Sequence, residues 1–305
     1  MIVFYDYEFN LLLVEPKVIS WKLVKYFNET GTFTAHLPLS SRAVELVAEN
    51  DYLVCEVGGE FAVVTGKEIA GELVLYGRTP NWLLSGRVVM PFAEKSCKTG
   101  ELVRDMFDAC YADCPDVVFG EMVEGETHTR RQDSPKKLSL AVFDALGADR
   151  LGNEFLYDKN NRRWVFNLLC GRDLPLMISE ANKNAASVTV TENIAETANF
   201  CYYRDGDGFV GKGERRDGLY HFETYVISDD EGDADEALKK AEKERKVTAD
   251  TVGVIYRKDY LLGDTVRVQI IKGGYRTTER LRICGVEMNF SAAGYTEKPI
   301  FENIN

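Results

Sequence analysis

Histidine is scarce in this sequence of 305 residues, which contains three. His36, His128 and His221 stand at no metal-ligand spacing and beside no nucleophile signature. Walker A, Gly-x-Ser-x-Gly and His-Glu-x-x-His motifs are also absent. Carboxylates are abundant, but no spacing singles out a pair for glycan cleavage, because the fold assembles such pairs. The sequence therefore predicts that the protein is not an enzyme and has no catalytic, cofactor-binding or metal-binding residues.

Long hydrophobic runs are missing too. The longest near the start covers residues 11–14, far below the ~20 residues that span a bilayer. The first ten residues lack the basic and apolar regions of a secretory signal. The seven cysteines are odd in number and scattered, which is typical of reduced thiols in a cytoplasmic assembly compartment. We predict a protein without a membrane anchor.

Basic residues are outnumbered by acidic ones. Lysine and arginine number 37 against 49 aspartates and glutamates, so the formal net charge is -12. Repulsion from phosphates argues against sequence-specific nucleic-acid binding. An apolar fraction of 45% over this length can fill one large core or roughly two to three smaller ones. A multi-domain globular protein is expected.

Two short patterns could hold a cation, and both have simpler explanations. Cys110 and Cys114 have helical i,i+4 spacing, but no second Cys/His pair has zinc-finger spacing. Residues 205–208, Asp-Gly-Asp-Gly, resemble the start of a calcium loop but lack the glycine and terminal glutamate of an EF-hand. A helix end and a turn are the favoured interpretations.

The first ninety residues contain short runs rich in Val, Tyr, Phe and Thr, punctuated by glycine, which predict strands. Gly58-Gly59 separates two alternating runs and predicts a tight hairpin with positive φ. Helical spacing over residues 40–49 predicts one short helix, with Ser40 or Ser41 as N-cap. We predict a first β-barrel-like tube domain over residues 1–92.

Helical spacing prevails from residue 93. Thr99 can cap a first helix, and a second has Ser134 as N-cap, Pro135 at the first helical position and Gly147 as C-terminal stop. These features predict an α-rich insertion over residues 93–150.

Strands return near residue 151, where the turn over residues 158–161 joins two of them. An acidic loop then leads into a charged helix over residues 234–246, whose narrow apolar stripe predicts a peripheral position. We predict a second β domain over residues 151–305 with this loop and helix inserted at about 228–247, and two final strands followed by a short tail. The expected class is α+β, β-rich, with two small antiparallel barrel-like tube domains, a helical insertion and a peripheral helix.

Residues 71–92, GELVLYGRTPNWLLSGRVVMPF, form the most specific segment. Together with later short motifs in a fixed order, this segment resembles the siphovirus tail-hub family, the tail proteins related to the baseplate hubs of contractile phages. The matching features outside the segment are Trp21, Gly31, Phe33, Leu37 and Pro38, then Gly171-Arg172-Asp173-Leu174, Thr191-Glu192-Asn193, Asn199 and residues 260–268, YLLGDTVRV.

The resemblance implies a structural subunit of a phage or prophage tail tip or baseplate hub. Three copies would close into a ring with pseudo-sixfold symmetry that continues the tail tube and lets DNA pass. The implied protein is part of the virion, is made in the host bacterial cytoplasm, and has the distal tail, tape measure and receptor-binding or fibre proteins as partners. Relatives called tail-associated lysins continue into a peptidase or glycan-cleaving domain, whereas this sequence stops at Asn305. Wall-degrading activity is therefore expected from another subunit.

Two alternatives remain open from the residues alone. A tail module for a cell-surface glycan would use exposed aromatics such as those in CYYRDGDGF, residues 201–209, and a cell-wall hydrolase would use an unrecognised site. A hub predicts self-association through β edges, since open edges carry unpaired backbone groups. An acidic lumen would also let DNA slide through the ring without sticking.

Overall fold

The computed structural model describes residues 1–206, 208–215, 218–228, 230–241 and 244–304. Contacts divide the chain into two compact units, of which the first comprises Met1–Val188 with Ala249–Asn305 and the second Thr189–Thr248. The predicted boundaries at residues 92 and 150 differ from this division and stay a prediction. Among the described residues, no helix is both long and apolar enough to cross a membrane.

The N-terminal part of the first unit is an antiparallel sheet with strand order β2-β1-β5-β6-β7-β4-β3. Alternating residues build it: in β4, Phe33, Ala35 and Leu37 are buried between more exposed neighbours. The predicted hairpin at Gly58-Gly59 is confirmed, with φ of 59° and 85°. The elements are β1 (Ile2–Tyr5), β2 (Leu11–Glu15), β3 (Ser20–Tyr26), β4 (Thr32–Leu37), α1 (Ala43–Glu49), β5 (Leu53–Val57), β6 (Glu60–Ile69) and β7 (Leu73–Arg78).

The segment after β7 builds a second core in the same unit, in which α2 and α3 pack against β13 and β14. A 3₁₀ helix, Pro80–Gly86, leads into it. The further elements are β8 (Val88–Val89), β9 (Phe92–Lys98), α2 (Thr99–Tyr111), β10 (Val117–Phe119), β11 (Thr127–Gln132), β12 (Lys136–Lys137), α3 (Leu138–Ala148), β13 (Gly152–Asp158), β14 (Arg163–Leu169) and β15 (Asp173–Ile178).

Three predicted helix caps are wrong. Ser134 does not cap α3, because residues 136 and 137 pair with β8 and the helix begins only at Leu138, whose amide donates to the Arg87 carbonyl. Arg42 occupies the N-cap of α1, although Ser41 Oγ still accepts from the Ala43 amide. Lys98, rather than Thr99, is the N-cap of α2. At α3, pairing of the two preceding residues with β8, rather than the local capping pattern, sets the first residue of the helix.

The second unit contains a three-stranded sheet with order β18-β17-β19, against which helix α4 packs. The Asp230 side chain caps α4 by accepting from the Gly232 amide. The helix begins three residues earlier than predicted and ends at Lys240 instead of residue 246, because residues 244–246 belong to strand β20. Residue 229 of the predicted acidic loop and residues 242 and 243 of the predicted helix lie outside the described residues. The elements within the unit are β17 (Phe200–Asp205), β18 (Gly208–Gly213), a 3₁₀ turn (Gly218–Tyr220), β19 (Glu223–Tyr225) and α4 (Glu231–Lys240). Two strands cross the boundary of the unit: β16 (Ala185–Asn193) and β20 (Glu244–Thr251).

The C-terminal strands extend the sheet of the first unit. They are β21 (Thr265–Lys272), β22 (Tyr275–Ser291) and β23 (Gly294–Asn303). β22 pairs with β21 through residues 275–282 and with β3 through residues 285–290. The predicted short tail is wrong, because residues 294–303 pair with β22 and bury Pro299 and Phe301. The α+β, β-rich class is confirmed.

Candidate assembly surface

The most specific segment of the sequence forms an anchor between the N-terminal sheet and the second core. Asn81, in the 3₁₀ helix, is 5% exposed and donates from Nδ2 to Asn153 Oδ1 at 2.6 Å. Its Oδ1 accepts from the Phe155 amide at 3.1 Å. Asn153 Nδ2 in turn donates to Asn28 Oδ1 at 3.1 Å, next to β3. These buried amides satisfy one another, which fixes β13 against the helix.

Two motifs that lie far apart in the sequence meet directly. The main chain at Gly171 passes so close to Gly263 that an added Cβ would lie 1.7 Å from the Gly263 carbonyl oxygen. Arg172 then binds Asp264 in bidentate fashion, with Nε to Oδ1 at 3.0 Å and Nη2 to Oδ2 at 2.7 Å. The contact sets the parallel pairing of β15 with β21. Two of the motifs that carry the resemblance, residues 171–174 and residues 260–268, therefore form one structural element.

Asp264 is almost fully buried, at 1% exposure, yet it is held as a carboxylate. Burial alone would raise the pKa of Asp264, but hydrogen bonds from Arg172 and from the Leu261 amide outweigh it and lower that pKa below its ordinary value. A charged carboxylate is thus part of the folded state at neutral pH.

The protein is expected to lose stability in acid, and Asp264 to carry part of that loss. Because its pKa is lower in the folded than in the unfolded chain, its contribution is present above the ordinary value of about 3.9 and is lost as pH falls through the folded-state pKa. Asp264→Asn should lower the free energy of unfolding by about 2 kcal/mol at pH 7. Below about pH 4, the free energy of unfolding of the variant should depend less steeply on pH than that of wild type. Urea unfolding at several pH values measures both. If the free energy of unfolding depended on pH equally in wild type and variant, Asp264 would not contribute to the loss of stability in acid.

Four charged side chains of the first unit meet; Lys25, Glu60 and Glu154 are buried, whereas the Arg257 side chain is 40% exposed. We call them the buried ion cluster. Lys25 Nζ lies 2.6 Å from both Glu60 and Glu154, and Arg257 lies 2.5 Å from Glu60 and 2.6 Å from Glu154. Burial alone would lower the pKa of Lys25, but the two carboxylates raise it well above its ordinary value. For Glu60, burial is likewise outweighed by Lys25 and Arg257, and its pKa is lowered. The cluster is internally neutral and joins β3, β6, β13 and the loop before β21.

Strand β2 is an open sheet edge with an apolar surface. It pairs with β1, and among the described residues no strand lies on its other side. Leu11, Leu12 and Val14 are exposed at 59%, 39% and 45%. The strand carries neither lysine nor proline, the residues that usually protect an edge. An edge of this kind is a template for pairing with another chain.

The β2 edge is also held in place. Asp6 Oδ1 accepts from the Glu8 and Asn10 amides and fixes the turn between β1 and β2. Phe9, at the tip of this turn, stacks on Tyr157 with ring centroids 3.3 Å apart. At the other end, buried Glu15 accepts from Ser41 Oγ at 2.5 Å. Because both ends are fixed, pairing would cost little ordering of this strand.

No family model and no curated protein matches the sequence. Solved structures are similar along the whole chain. The tail protein from Neisseria meningitidis MC58 gives a TM-score of 0.58 at 13% identity, over 98% of this chain and 95% of that one. The 43 kDa tail protein of prophage MuSo2 from Shewanella oneidensis gives 0.58 at 9% identity, over 99% and 97%. The E. coli c3393 protein, a type VI secretion component similar to T4 tail proteins gp27 and gp5, gives 0.50 at 11% identity, over 96% and 75%. This chain has the fold of phage tail proteins.

Within this tail-protein fold, the residues weighed as sites from the sequence fall into small, separate groups. His36 Nδ1 lies 2.7 Å from Glu72, and Cys114 Sγ accepts from Arg87 at 2.8 Å. Cys110 lies near the Val88 carbonyl. Of the Asp-Gly-Asp-Gly segment, Asp207 lies outside the described residues. The cysteine pair thus has ordinary local partners.

One cluster of ligand-type side chains went unnoticed in the sequence. Glu126, His128 and Asp149 bring one ligand atom each within 4.8 Å of the others. Asp149 accepts from the Glu126 amide at 2.7 Å and lies 2.5 Å from His128 Nε2. These bonds tie the end of α3 to β11 of the tail-protein fold, which accounts for the arrangement without an ion. A Glu-x-His spacing was the available signal, but the aspartate lies more than twenty residues away.

Proposed function

We propose that this protein is a structural subunit of a phage or prophage tail tip or baseplate hub. The observation that carries the proposal is the fold shared with a tail protein over 98% of the chain. The c3393 likeness supports the hub in particular, because that protein is described as similar to T4 tail proteins gp27 and gp5. The proposed location is the virion tail, and the proposed partners are other tail proteins. No catalytic residue, cofactor or metal belongs to this function.

Assembly would proceed through the β2 edge. Three copies form a closed ring only if each contact is head to tail, so that one edge meets a different surface on the next copy. The exposed β2 strand supplies unpaired backbone groups and an apolar surface for such a contact. The ring would continue the tail tube and let DNA pass.

Light scattering of the purified protein over a range of concentrations tests the ring. A mass near three subunits supports a homotrimeric hub. A persistent monomer, even when a tail-tube or distal tail protein is added as template, contradicts it.

The variant Leu12→Lys is expected to weaken this assembly by about tenfold or more in dissociation constant. A lysine on an edge strand places a charge where the neighbouring strand would pack, at a cost of about 1–3 kcal/mol. The matched control is Ile69→Lys, which introduces the same charge at a similarly exposed position, 48%, on the inner strand β6. Equal masses for Leu12→Lys and wild type would exclude β2 as the contact.

A further inference from the structure

Helix α4 packs on one face of the three-stranded sheet of the second unit. The other face, which we call the open face, carries exposed side chains among the described residues. Lys212, on β18, forms ion pairs with Glu231 and Asp235 of α4 at 2.9 and 2.6 Å, which identifies the covered face. Cys201 lies directly opposite Lys212 and is fully buried. Since side chains alternate along a strand, Phe200 and Tyr202 belong to the opposite face.

The open face is aromatic. Strand pairing places Tyr225 beside Tyr202, and Phe209 diagonally across from it. Tyr225 is 69% and Phe209 57% exposed. We call this set, with the Phe200 ring below it, the aromatic platform. Exposing so much aromatic surface on a unit of sixty residues costs solubility and indicates a binding role.

A glycine on β18 leaves room for the Phe200 ring. Gly211 is paired with Tyr202, and an added Cβ would lie 2.2 Å from the Phe200 ring. The Phe200 ring therefore packs across the neighbouring strand. The Tyr202 ring lies 5.2 Å away at 77°, so the two rings are nearly perpendicular and meet edge to face. Phe200 is only 9% exposed, so the rings that a ligand can reach are those of Tyr202, Phe209 and Tyr225. An exposed aromatic ring offers its face to the apolar C–H face of a ring-shaped ligand.

Polar groups border the aromatic platform. Glu223, which shares the face with Tyr225, accepts from the Tyr202 hydroxyl at 3.1 Å and lies 2.9 Å from His221 Nε2. A carboxylate and an imidazole beside exposed aromatic rings suit a ligand with hydroxyls around an apolar face. Strand pairing also places Arg204 opposite Phe209 on this face. Acidic residues still outnumber basic ones over residues 189–248, and this net charge disfavours an anionic ligand.

We propose that the aromatic platform of the second unit binds a neutral glycan. A pyranose ring combines an apolar C–H face, which stacks on Tyr202, Phe209 and Tyr225, with equatorial hydroxyls that bond to Glu223 and His221. A nucleic acid is disfavoured by the net negative charge of the unit. The proposal goes beyond the structural hub function and does not depend on ring formation.

Isothermal titration of the full chain with neutral oligosaccharides tests it, using cellohexaose, maltohexaose and the tetramer of N-acetylglucosamine as probes. At least one probe is expected to bind saturably at a concentration below about 10 mM. Tyr225→Ala should weaken that binding by about tenfold, because one stacking ring is lost. Tyr52→Ala, a control at a 77% exposed tyrosine of the first unit, should leave it unchanged.

Tyr202→Phe provides a second readout, because it keeps the ring and removes the hydroxyl that binds Glu223. It should retain stacking and lose part of the binding enthalpy. Failure of all three probes to bind, or binding that Tyr225→Ala leaves intact, would overturn the proposal, while the mass measurement of the ring would be unaffected.

Discussion

Lys25→Met is expected to lower the free energy of unfolding by about 3–5 kcal/mol. The substitution keeps the length of the side chain and removes its charge. Glu60 and Glu154 would then share Arg257 alone, which leaves one negative charge uncompensated in the interior. Removing one partner from a buried ion pair is costly for this reason, even where the whole cluster contributes little net stability.

The matched control lies on the same strand. Lys22 forms a 2.6 Å ion pair with Glu287, but its side chain is 51% exposed, whereas that of Lys25 is 8% exposed. Lys22→Met should change the free energy of unfolding by no more than about 1 kcal/mol, because water screens the exposed pair. Urea unfolding of both variants measures the difference. If both variants lost the same free energy of unfolding, burial of the cluster would not determine how much it stabilises the fold.

Gly171→Ala is expected to lower the free energy of unfolding by about 3 kcal/mol or more. The new Cβ would lie 1.7 Å from the Gly263 carbonyl oxygen and 2.3 Å from its carbon. Both are backbone atoms, so no side-chain rotation relieves the clash and the two chain segments must separate. Separation also breaks the bidentate bond between Arg172 and Asp264.

Gly274→Ala is the control for this substitution. An added Cβ at Gly274 meets no atom within 4 Å, and its φ is not in the left-handed region. The variant should be as stable as wild type or more stable by about 0.4–1 kcal/mol, because alanine restricts the unfolded chain. Thermal or urea unfolding of the two variants gives the comparison. If the Gly171→Ala variant were as stable as the Gly274→Ala variant, the segments at Gly171 and Gly263 could separate without loss of stability.

Local patterns sufficed to predict much of the first unit. Alternation and the Gly58-Gly59 turn predicted β5 and β6, and the turn over residues 158–161 predicted the β13–β14 hairpin. Strand β23 was missed because Pro299 and the charges before it conceal the strand pattern, and only pairing with β22 makes the segment a strand. Pairing with segments distant in the sequence thus determines those elements that the local sequence pattern does not predict.

The anchors of the fold could not be predicted from the sequence for the same reason. Glu60 and Arg257, which are 197 positions apart, each look like ordinary surface charges in isolation. The motifs at Gly171 and Asp264 were recognised as parts of the resemblance, but nothing local indicates that they meet. The aromatic platform was partly visible as CYYRDGDGF, whereas the contribution of Glu223 and Tyr225 depends on strand pairing.

The pairing of β3 with β22 sets the order in which the chain can fold. Trp21–Tyr26 must wait for Gly285–Phe290, which are synthesised roughly 260 residues later, or on the order of 10–50 s at ordinary translation rates. During that time Trp21, Leu23 and Val24 form an edge with one partner missing. The competing partner is the same strand on a neighbouring nascent chain. Yield of folded protein should therefore depend on how closely ribosomes are spaced on the message.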